Sequence, residues 1–452
     1  MNDAVTPYPF AFSDAALADL KTRLGLTRWP ENATAEGWAQ GAPLKNMQAL
    51  VARWENGYDW RVCEARLNEL SPSMTTIDGL DIHFLHLRSP EPDAIPLVLT
   101  HGWPGSVIEF LKVAGPLADP RAHGGDPKQA FHVVIPSLPG FGLSGKPTET
   151  GWGTGRIAQA WIVLMKRLGY DRFVAQGGDW GSAVTNALGT TGDPAVAAIH
   201  LNFVIARPAP EDMADLTDAE KAALADMQAY STTGNGYAIE QMTRPQTLGY
   251  GLTDSPVGQA AWIYEKFREW SDCDGEPENA LTLDEMLDNI MLYWLPATGA
   301  SSARLYWESF ASFQPAVIEM PVGVSIFPKE IFRTSRRWAE KLFPNIIHWG
   351  QLDKGGLINR DLPTVHSATM GEALERWDVS RTKSESVREF FRAAPGGVPT
   401  QVAFSQSSRW DELDLDREND LRSPLVRHHV RRRVQPSGLP GALPAVGGRL
   451  FL

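Results

Sequence analysis

The chain has 452 residues, of which 43% are hydrophobic and 21% charged, a composition typical of a soluble globular protein with one large or two medium domains. Its net charge of −12 argues against a nucleic acid or an anionic membrane as its partner. The two cysteines provide neither a disulfide framework nor a cysteine-based metal site, which favours a reducing compartment.

The N-terminal residues lack the basic region and apolar core of a signal peptide. No stretch approaches the roughly 20 apolar residues that a membrane helix needs. We therefore expect a cytoplasmic protein without a membrane segment.

Residues 1–92 are predicted to form a helical arm and the first strands of a sheet. The predicted helices run over 13–24, 44–54 and 60–70. Ser13 is a suitable N-cap for the first of them, because its hydroxyl can accept from the free amides of the first turn. Asp78-Gly79 then separates two strand-like runs, which is a strong hairpin signal.

From residue 95 onward, apolar strand-like runs alternate with helical segments. The predicted strands cover 95–100, 131–136, 172–176, 195–203, 322–327 and 345–349. This alternation predicts a mostly parallel sheet covered by helices on both faces, and such sheets bind ligands at the carboxyl ends of their strands.

The remaining segments complete the predicted domain organisation. Residues 206–313 interrupt the alternation with helical, aromatic-rich sequence, which predicts a lid inserted between two parts of the core, 93–205 and 314–392. Residues 393–452 are rich in Arg, Pro and Gly and are predicted to be a disordered tail.

The run Gly177-Gly178-Asp179-Trp180-Gly181 stands between a predicted strand and a predicted helix. A small-x-nucleophile-x-small turn in this context is the nucleophile elbow of the α/β-hydrolase fold, which usually carries serine. Asp179 in that place would form an ester with an alkyl carbon instead of an acyl-enzyme. The substrate class therefore shifts from esters to epoxides or alkyl halides.

A second loop, His101-Gly102-Trp103-Pro104, follows the predicted strand 95–100. In this fold that loop and the residue after the nucleophile each supply a backbone N–H to the oxyanion hole. Trp103 and Trp180 are the candidates for these two amides. His101 is predicted to be a structural hydrogen-bonding residue in a tight loop.

Several motifs together resemble the microsomal-type epoxide hydrolase family. They are His-Gly-Trp-Pro-Gly-Ser at 101–106, Gly-Gly-Asp-Trp-Gly-Ser at 177–182, Gly-Leu-Thr-Asp-Ser-Pro-Val-Gly at 251–258, Tyr8-Pro9-Phe10 and Arg28-Trp29-Pro30. The resemblance runs from about residue 7 to 356, and implies an α/β-hydrolase fold with a helical lid and an N-terminal helical arm.

The resemblance also implies the roles of the site residues. Asp179 would attack an epoxide carbon, while the phenols of Tyr237 and Tyr306 bind and protonate the epoxide oxygen. Glu330 would orient a histidine base that activates water for ester hydrolysis. The expected reactants are a small-molecule epoxide and water, with no metal and no cofactor, and a homodimer is one candidate for the assembly.

The expected histidine is missing from its position. The family has it directly after a Gly-Gly pair, but Gly355-Gly356 is followed by Leu357, which cannot accept a proton. Another histidine could replace it, and His366 is the nearest candidate further along the chain. Alternatively, the base has been truly lost, or the tail is an out-of-frame product of the gene, since no Lys follows Lys383. We favour a lost base together with an out-of-frame tail.

Three further histidines are weaker candidates. His348 is predicted to pack within a strand, and His428 and His429 belong to the Arg-rich tail.

The leading functional hypothesis is a cofactor-free epoxide hydrolase whose hydrolytic half-reaction is impaired. The alternatives are a haloalkane dehalogenase and a non-catalytic protein that captures epoxides stoichiometrically. An ester hydrolase is disfavoured because Asp179 is not serine.

Overall fold

The computed structural model describes residues 3–310 and 316–358. The predicted tail 393–452 and the part of the predicted core from 359 to 392 lie outside the described residues.

Nine strands form one sheet in the described part of the chain. They are β1 (Thr6–Pro7), β2 (Ser73–Ile77), β3 (Leu80–Leu87), β4 (Ile95–Thr100), β5 (Phe131–Pro136), β6 (Phe173–Gly177), β7 (Val196–Leu201), β8 (Val322–Ile326) and β9 (Ile346–Gln351). All six strands predicted from the apolar runs are present within a few residues.

The sheet order is β1-β2-β3-β5-β4-β6-β7-β8-β9. The first three strands pair antiparallel, β3 also pairs antiparallel with β5, and the remaining pairs are parallel. The predicted fold class, an α/β-hydrolase fold with a mostly parallel sheet, is therefore confirmed. Every residue of β4, β6, β7 and β8 is buried, as expected for parallel strands covered on both faces.

Thirteen α-helices occur in the described residues. They are α1 (Asp14–Gly25), α2 (Leu44–Asn56), α3 (Trp60–Asn68), α4 (Leu111–Ala118), α5 (Thr154–Arg167), α6 (Trp180–Thr190), α7 (Asp218–Ala229), α8 (Gly236–Thr243), α9 (Pro245–Asp254), α10 (Pro256–Trp270), α11 (Leu283–Trp294), α12 (Gly299–Ser309) and α13 (Arg336–Ala339). Shorter turns of 3₁₀ or π helix join several of them.

Two local predictions about the arm agree with the structure. The Ser13 hydroxyl accepts a hydrogen bond from the amide of Ala16, at 3.2 Å, and so caps α1. Asp78 and Gly79 both have positive φ, 51° and 78°, and connect the antiparallel strands β2 and β3. Positive φ at both central residues is what a two-residue hairpin turn requires.

The helices between β7 and β8, α7 to α12, occupy the segment predicted to be a lid. One of them, α11, is buried over most of its length, since nine consecutive residues from Met286 to Trp294 are buried. A helix that is apolar on most of its circumference must be covered on several sides. Trp54 of α2 covers one side, and the loop after β4 lies against another. The segment thus connects the arm to the edge of the sheet where the candidate site lies.

Candidate active site

Asp179 occupies the sharp turn between β6 and α6, with φ 49° and ψ −127°. This backbone conformation is strained for a residue with a side chain and occurs mainly at functional turns. The residues two positions before and after Asp179 must be glycine, because a Cβ at Gly177 would overlap the carbonyl of Gly181, and a Cβ at Gly181 would overlap that of Thr100. The glycines therefore allow α6 to start close against β4 and β6, and the turn presents Asp179 beyond the sheet edge.

The Asp179 carboxylate is held by two backbone amides. The Trp103 N–H donates to Oδ1 at 2.7 Å, and the Trp180 N–H is a second hydrogen-bond donor to the carboxyl. Gly102 leaves room for this approach, since a Cβ there would overlap Asp179. Burial raises the pKa of Asp179 to about 6, although both amides favour the ionised form. The two amides that the sequence assigned to an oxyanion hole thus lie at the candidate nucleophile.

Tyr237 of α8 and Tyr306 of α12 lie next to each other on the lid side of Asp179. Their ring centroids are 5.9 Å apart, and the Tyr237 ring stacks on Trp103 at 5.1 Å. Tyr306 also packs edge-on against Trp180, at 4.8 Å between centroids. Burial, with a further contribution from the Asp179 charge, raises the pKa of both phenols well above 10. Both hydroxyls therefore keep their protons and can donate them.

Two residues between β7 and β8 that the sequence did not indicate surround Tyr237. The hydroxyl of Tyr230 lies 2.9 Å from that of Tyr237, within hydrogen-bonding distance. The ammonium of Lys266, whose side chain is 4% exposed, stands 4.6 Å from the centre of the Tyr237 ring. A cation over a ring face is attracted by the ring quadrupole. No sequence pattern marks these residues, because Tyr230 reaches Tyr237 through the turn before α8, and Lys266 reaches it through the packing of α10.

Glu330 follows β8 and lies beside Leu357. The parallel bridge between Lys329 and Gly356 sets this register. Oε1 of Glu330 accepts from the Ile331 amide at 2.9 Å, whereas Oε2 is buried and has no hydrogen-bond partner among the described residues. Burial raises the pKa of this carboxyl well above its usual value, and the Asp179 charge adds to the shift. The residue next to the proposed orienting acid is therefore a leucine.

Neither His101 nor His348 supplies the base that is expected beside Glu330. His101 is fully buried; its Nε2 accepts from the Leu138 amide at 3.2 Å, and its Nδ1 lies 3.0 Å from the Gly102 carbonyl. Burial lowers the pKa of His101 to about 4, so the ring stays neutral. His348 is buried within β9, as its apolar surroundings in the sequence predict. His366, His428 and His429 lie outside the described residues.

A small cavity with a volume of about 20 Å³ adjoins Asp179. Its described lining comprises Gly102, Trp103, Pro104, Gly105, Glu109, Phe110, Gln176, Gly178, Asp179, Asn202, Leu357 and Ile358. Glu109 is a carboxyl that the sequence analysis did not select. The sequence did contain a signal for it. A glutamate among the apolar residues that follow Ser106 has to find a polar environment, such as a site, when it is buried.

The described residues contain no group of three or more His, Cys, Asp or Glu side chains arranged to hold a metal ion. Within the same ranges, no helix is both long enough and apolar enough to cross a membrane.

Two family models match this chain. Residues 5–110 match the one described as "Epoxide hydrolase N terminus", and residues 95–243 match "alpha/beta hydrolase fold". The first match covers the arm and the loop after β4, and the second covers the elbow.

Similar proteins carry the corresponding names. The chain is 56% identical over 353 residues to a "Putative epoxide hydrolase" of Stigmatella aurantiaca, an alignment that covers 78% of this chain and 80% of the relative. It is 31% identical to "Epoxide hydrolase 1" of Sus scrofa over 78% of this chain and 85% of that protein.

Solved structures agree with these relatives. The structure of Aspergillus niger epoxide hydrolase superposes with a TM-score of 0.75 at 32% identity, over 83% of this chain and 97% of that one. The juvenile hormone epoxide hydrolase of the silkworm Bombyx mori gives a TM-score of 0.75 at 26% identity, over 84% and 96%.

Proposed function

The chain belongs to the epoxide hydrolase family of the α/β-hydrolases and is an enzyme of that class, and we propose that it opens epoxides through an alkyl ester on Asp179 and forms vicinal diols by slow hydrolysis of that ester. The observation that carries the proposal is the arrangement at Asp179. One carboxylate faces two protonated phenols and is bound by two backbone amides.

Ring opening uses the carboxylate and the phenols together. The ionised Asp179 oxygen attacks one epoxide carbon, and the bond from that carbon to the epoxide oxygen breaks. The oxygen takes a proton from Tyr237 or Tyr306, which becomes a phenolate for the lifetime of the ester. Stacking on Trp103 and packing against Trp180 hold the two hydroxyls in fixed positions, which favours a reactive geometry.

Ester hydrolysis is the step that we expect to be slow. Water must attack Cγ of the Asp179 ester, and the resulting oxyanion can accept hydrogen bonds from the Trp103 and Trp180 amides. A histidine beside Glu330 would normally activate this water, but Leu357 occupies that position. Loss of one general base slows a step by roughly 10²–10⁴-fold. The enzyme should therefore accumulate the ester.

A rapid-quench experiment with styrene oxide tests the proposal. We expect intact-mass spectrometry to show an adduct that forms quickly and decays slowly, and peptide mapping to locate it at Asp179. Asp179→Asn should form no adduct, while Tyr237→Phe should form it more slowly without changing its site. Fast diol release with no detectable adduct would contradict the slow hydrolytic step.

Oxygen labelling tests the route of hydrolysis. In a single turnover in ¹⁸O-labelled water, attack at Cγ leaves the label in the peptide that contains Asp179 and not in the diol. Label that appears first in the diol would mean that water opens the epoxide directly, and the ester mechanism would be wrong.

The alternative functions make different predictions in the same assays. A haloalkane dehalogenase needs N–H donors for the halide, whereas two buried phenols face Asp179. A protein that only captures epoxides would form an adduct that never decays. Homodimer formation stays a prediction of the sequence.

A further inference from the structure

The cavity beside Asp179 can accommodate the hydrolytic water. Its volume of about 20 Å³ exceeds the roughly 10–15 Å³ that a cavity needs to hold one water molecule. Its lining includes four residues with polar side chains, Asp179, Glu109, Gln176 and Asn202, together with the apolar Leu357 and Ile358. A buried water typically makes two to four hydrogen bonds, and this lining can supply them.

Glu109 is positioned in this cavity by local backbone features. Its carboxyl folds back over Gly105, where a Cβ would overlap Oε1, so glycine is required there. The backbone N–H of Ser106 donates a hydrogen bond to the carboxyl. The same loop, from Gly102 to Ser106, also carries the Trp103 amide that binds Asp179. Glu109 and the nucleophile are therefore held by one short segment.

Among the described residues that line the cavity, only Asp179 and Glu109 can take up a proton near neutral pH. Asp179 cannot act as the base in the hydrolytic step, because it is then the ester itself. The amides of Gln176 and Asn202 can orient water but not deprotonate it. Glu330 is not among the described residues that line the cavity, and Leu357 stands where the histidine that it would orient is expected.

We infer that Glu109 is the general base of ester hydrolysis in this enzyme, accepting a proton from a water in the cavity as that water attacks Cγ of the Asp179 ester. This inference rests on the proposed ester mechanism. It assigns the hydrolysis that remains without a histidine at 357 to a specific carboxylate.

The proton transfers of this step balance. The water oxygen bonds to Cγ and gives one proton to Glu109, and the oxyanion forms at the Trp103 and Trp180 amides. The bond from Cγ to the ester oxygen of the substrate then breaks, and that oxygen takes the proton back from Glu109 to complete the diol. Asp179 leaves the step as a carboxylic acid, whose proton returns to the phenolate of Tyr237 or Tyr306.

The charges near Glu109 change in the direction that this role requires. Its pKa is raised well above the usual value, first by burial and then by the Asp179 carboxylate. Ester formation moves the negative charge from Asp179 to the phenolate of Tyr237 or Tyr306, so the Asp179 charge that raises the pKa of Glu109 is absent at the stage when a base is needed. Among the residues that the structure describes, the phenol of Tyr293 on α11 also interacts with Glu109; its pKa is raised well above 10, so it stays neutral.

The test separates ester formation from ester decay. With styrene oxide and rapid quench, Glu109→Gln should form the Asp179 adduct at a rate within about threefold of the parent, and the adduct should decay about tenfold more slowly or worse. The parent decay rate should rise with pH as Glu109 ionises, and the variant should lose this rise. Glu64→Gln, which replaces a buried carboxyl of α3 in the N-terminal arm, is the matched control and should change neither rate.

A second variant displaces the carboxyl without removing it. Gly105→Ala pushes the Glu109 side chain out of its place, so the adduct should again form normally and decay slowly. Unchanged decay in both folded variants would overturn the role of Glu109 while leaving the ester mechanism intact. If the parent enzyme forms no adduct and the ¹⁸O label appears first in the diol, the proposed ester mechanism is overturned, and this inference with it.

Discussion

Asp179 has to satisfy two conditions that oppose each other. A nucleophilic carboxylate must be ionised, but burial of the Asp179 side chain disfavours its charge. The hydrogen bonds from Trp103 and Trp180 limit the effect of burial, so the pKa of Asp179 is raised only to about 6. With this pKa the carboxylate is ionised above about pH 6, and burial keeps it weakly solvated. Both properties suit a nucleophile.

The pH dependence of alkylation follows from this value. The rate of ester formation should rise with pH to a plateau, with an apparent pKa of about 6, because only the ionised carboxylate attacks. The plateau should persist into alkaline solution, since the pKa values of Tyr237 and Tyr306 lie well above 10. Single-turnover adduct formation between pH 4.5 and 9 measures this limb, and a rate independent of pH would contradict it.

The same shift makes Asp179 a destabilising residue. Its folded pKa of about 6 lies above the unfolded value near 3.8, so the folded state loses stability as pH rises between these values and the loss is complete above pH 6. Asp179→Asn should therefore raise the free energy of unfolding at pH 7.5 by on the order of 1–3 kcal/mol, at about 1.4 kcal/mol per pKa unit. Urea denaturation at pH 4 and pH 7.5 checks this, since the gain should be absent at the lower pH.

Leu357 gives a third prediction at the scale of the residue. Because the bridge between Lys329 and Gly356 places residue 357 beside Glu330, Leu357→His should speed decay of the Asp179 ester. We expect only part of the roughly 10²–10⁴-fold effect of a general base, since the altered sequence after 356 should also displace the loop. Rapid-quench decay rates measure the gain, with Leu357→Gln as the control. Full recovery would show that the later sequence is harmless.

The strands and turns that carry the site could be predicted where neighbouring residues in the sequence determine their conformation. The parallel strands were found because burial on both faces requires continuous apolar runs, and the hairpin was found because Asp78-Gly79 tolerates positive φ. The two-residue strand β1 (Thr6–Pro7) was missed, since so short a segment has no periodicity. The lid helices were expected only as a group, because their ends depend on mutual packing.

The turn between β6 and α6 makes a prediction about glycine. Gly181→Ala would force its Cβ into the Thr100 carbonyl, so β4 and α6 would have to separate. We expect a loss of at least about 2 kcal/mol in unfolding free energy and little adduct formation. Gly155→Ala is the matched control in α5, where a Cβ meets open space, and should stabilise by about 0.5–1 kcal/mol. Thermal denaturation of both variants tests the contrast, and equal effects would contradict it.

In the molecule as a whole, α11 connects the N-terminal arm to the loop after β4. Asn289 donates to the Pro104 carbonyl at 2.7 Å, and the Tyr293 hydroxyl donates to that of Gly105 at 2.7 Å. On another side of the helix, the indole of Trp54 in α2 is buried and contacts the sulfur of Met291. The arm therefore supports the helix that holds the loop after β4.

Trp54→Ala should consequently weaken both stability and chemistry. Removal of a buried indole lowers the unfolding free energy by about 3–5 kcal/mol, and the loosened α11 should also slow ester formation. Arg53→Ala is the control on the same helix, because the ion pair of Arg53 with Asp284 is half-exposed and screened by solvent, so its loss should change stability little. Denaturation curves and single-turnover rates measure the two effects, and a Trp54 variant with normal chemistry would show that the arm is only structural.

The sequence by itself determined the class of chemistry and the places where glycine is needed. Both are local, since a carboxylate in a strand–turn–helix motif can be recognised from neighbouring residues, as can the absence of histidine after Gly355-Gly356. Only the tertiary structure decided that Glu109 shares a cavity with Asp179, that Tyr230 and Lys266 surround Tyr237, and that the pKa of Asp179 is about 6. Strand register and helix packing bring these distant groups together, and burial, which shifts their pKa values, exists only after the chain has folded.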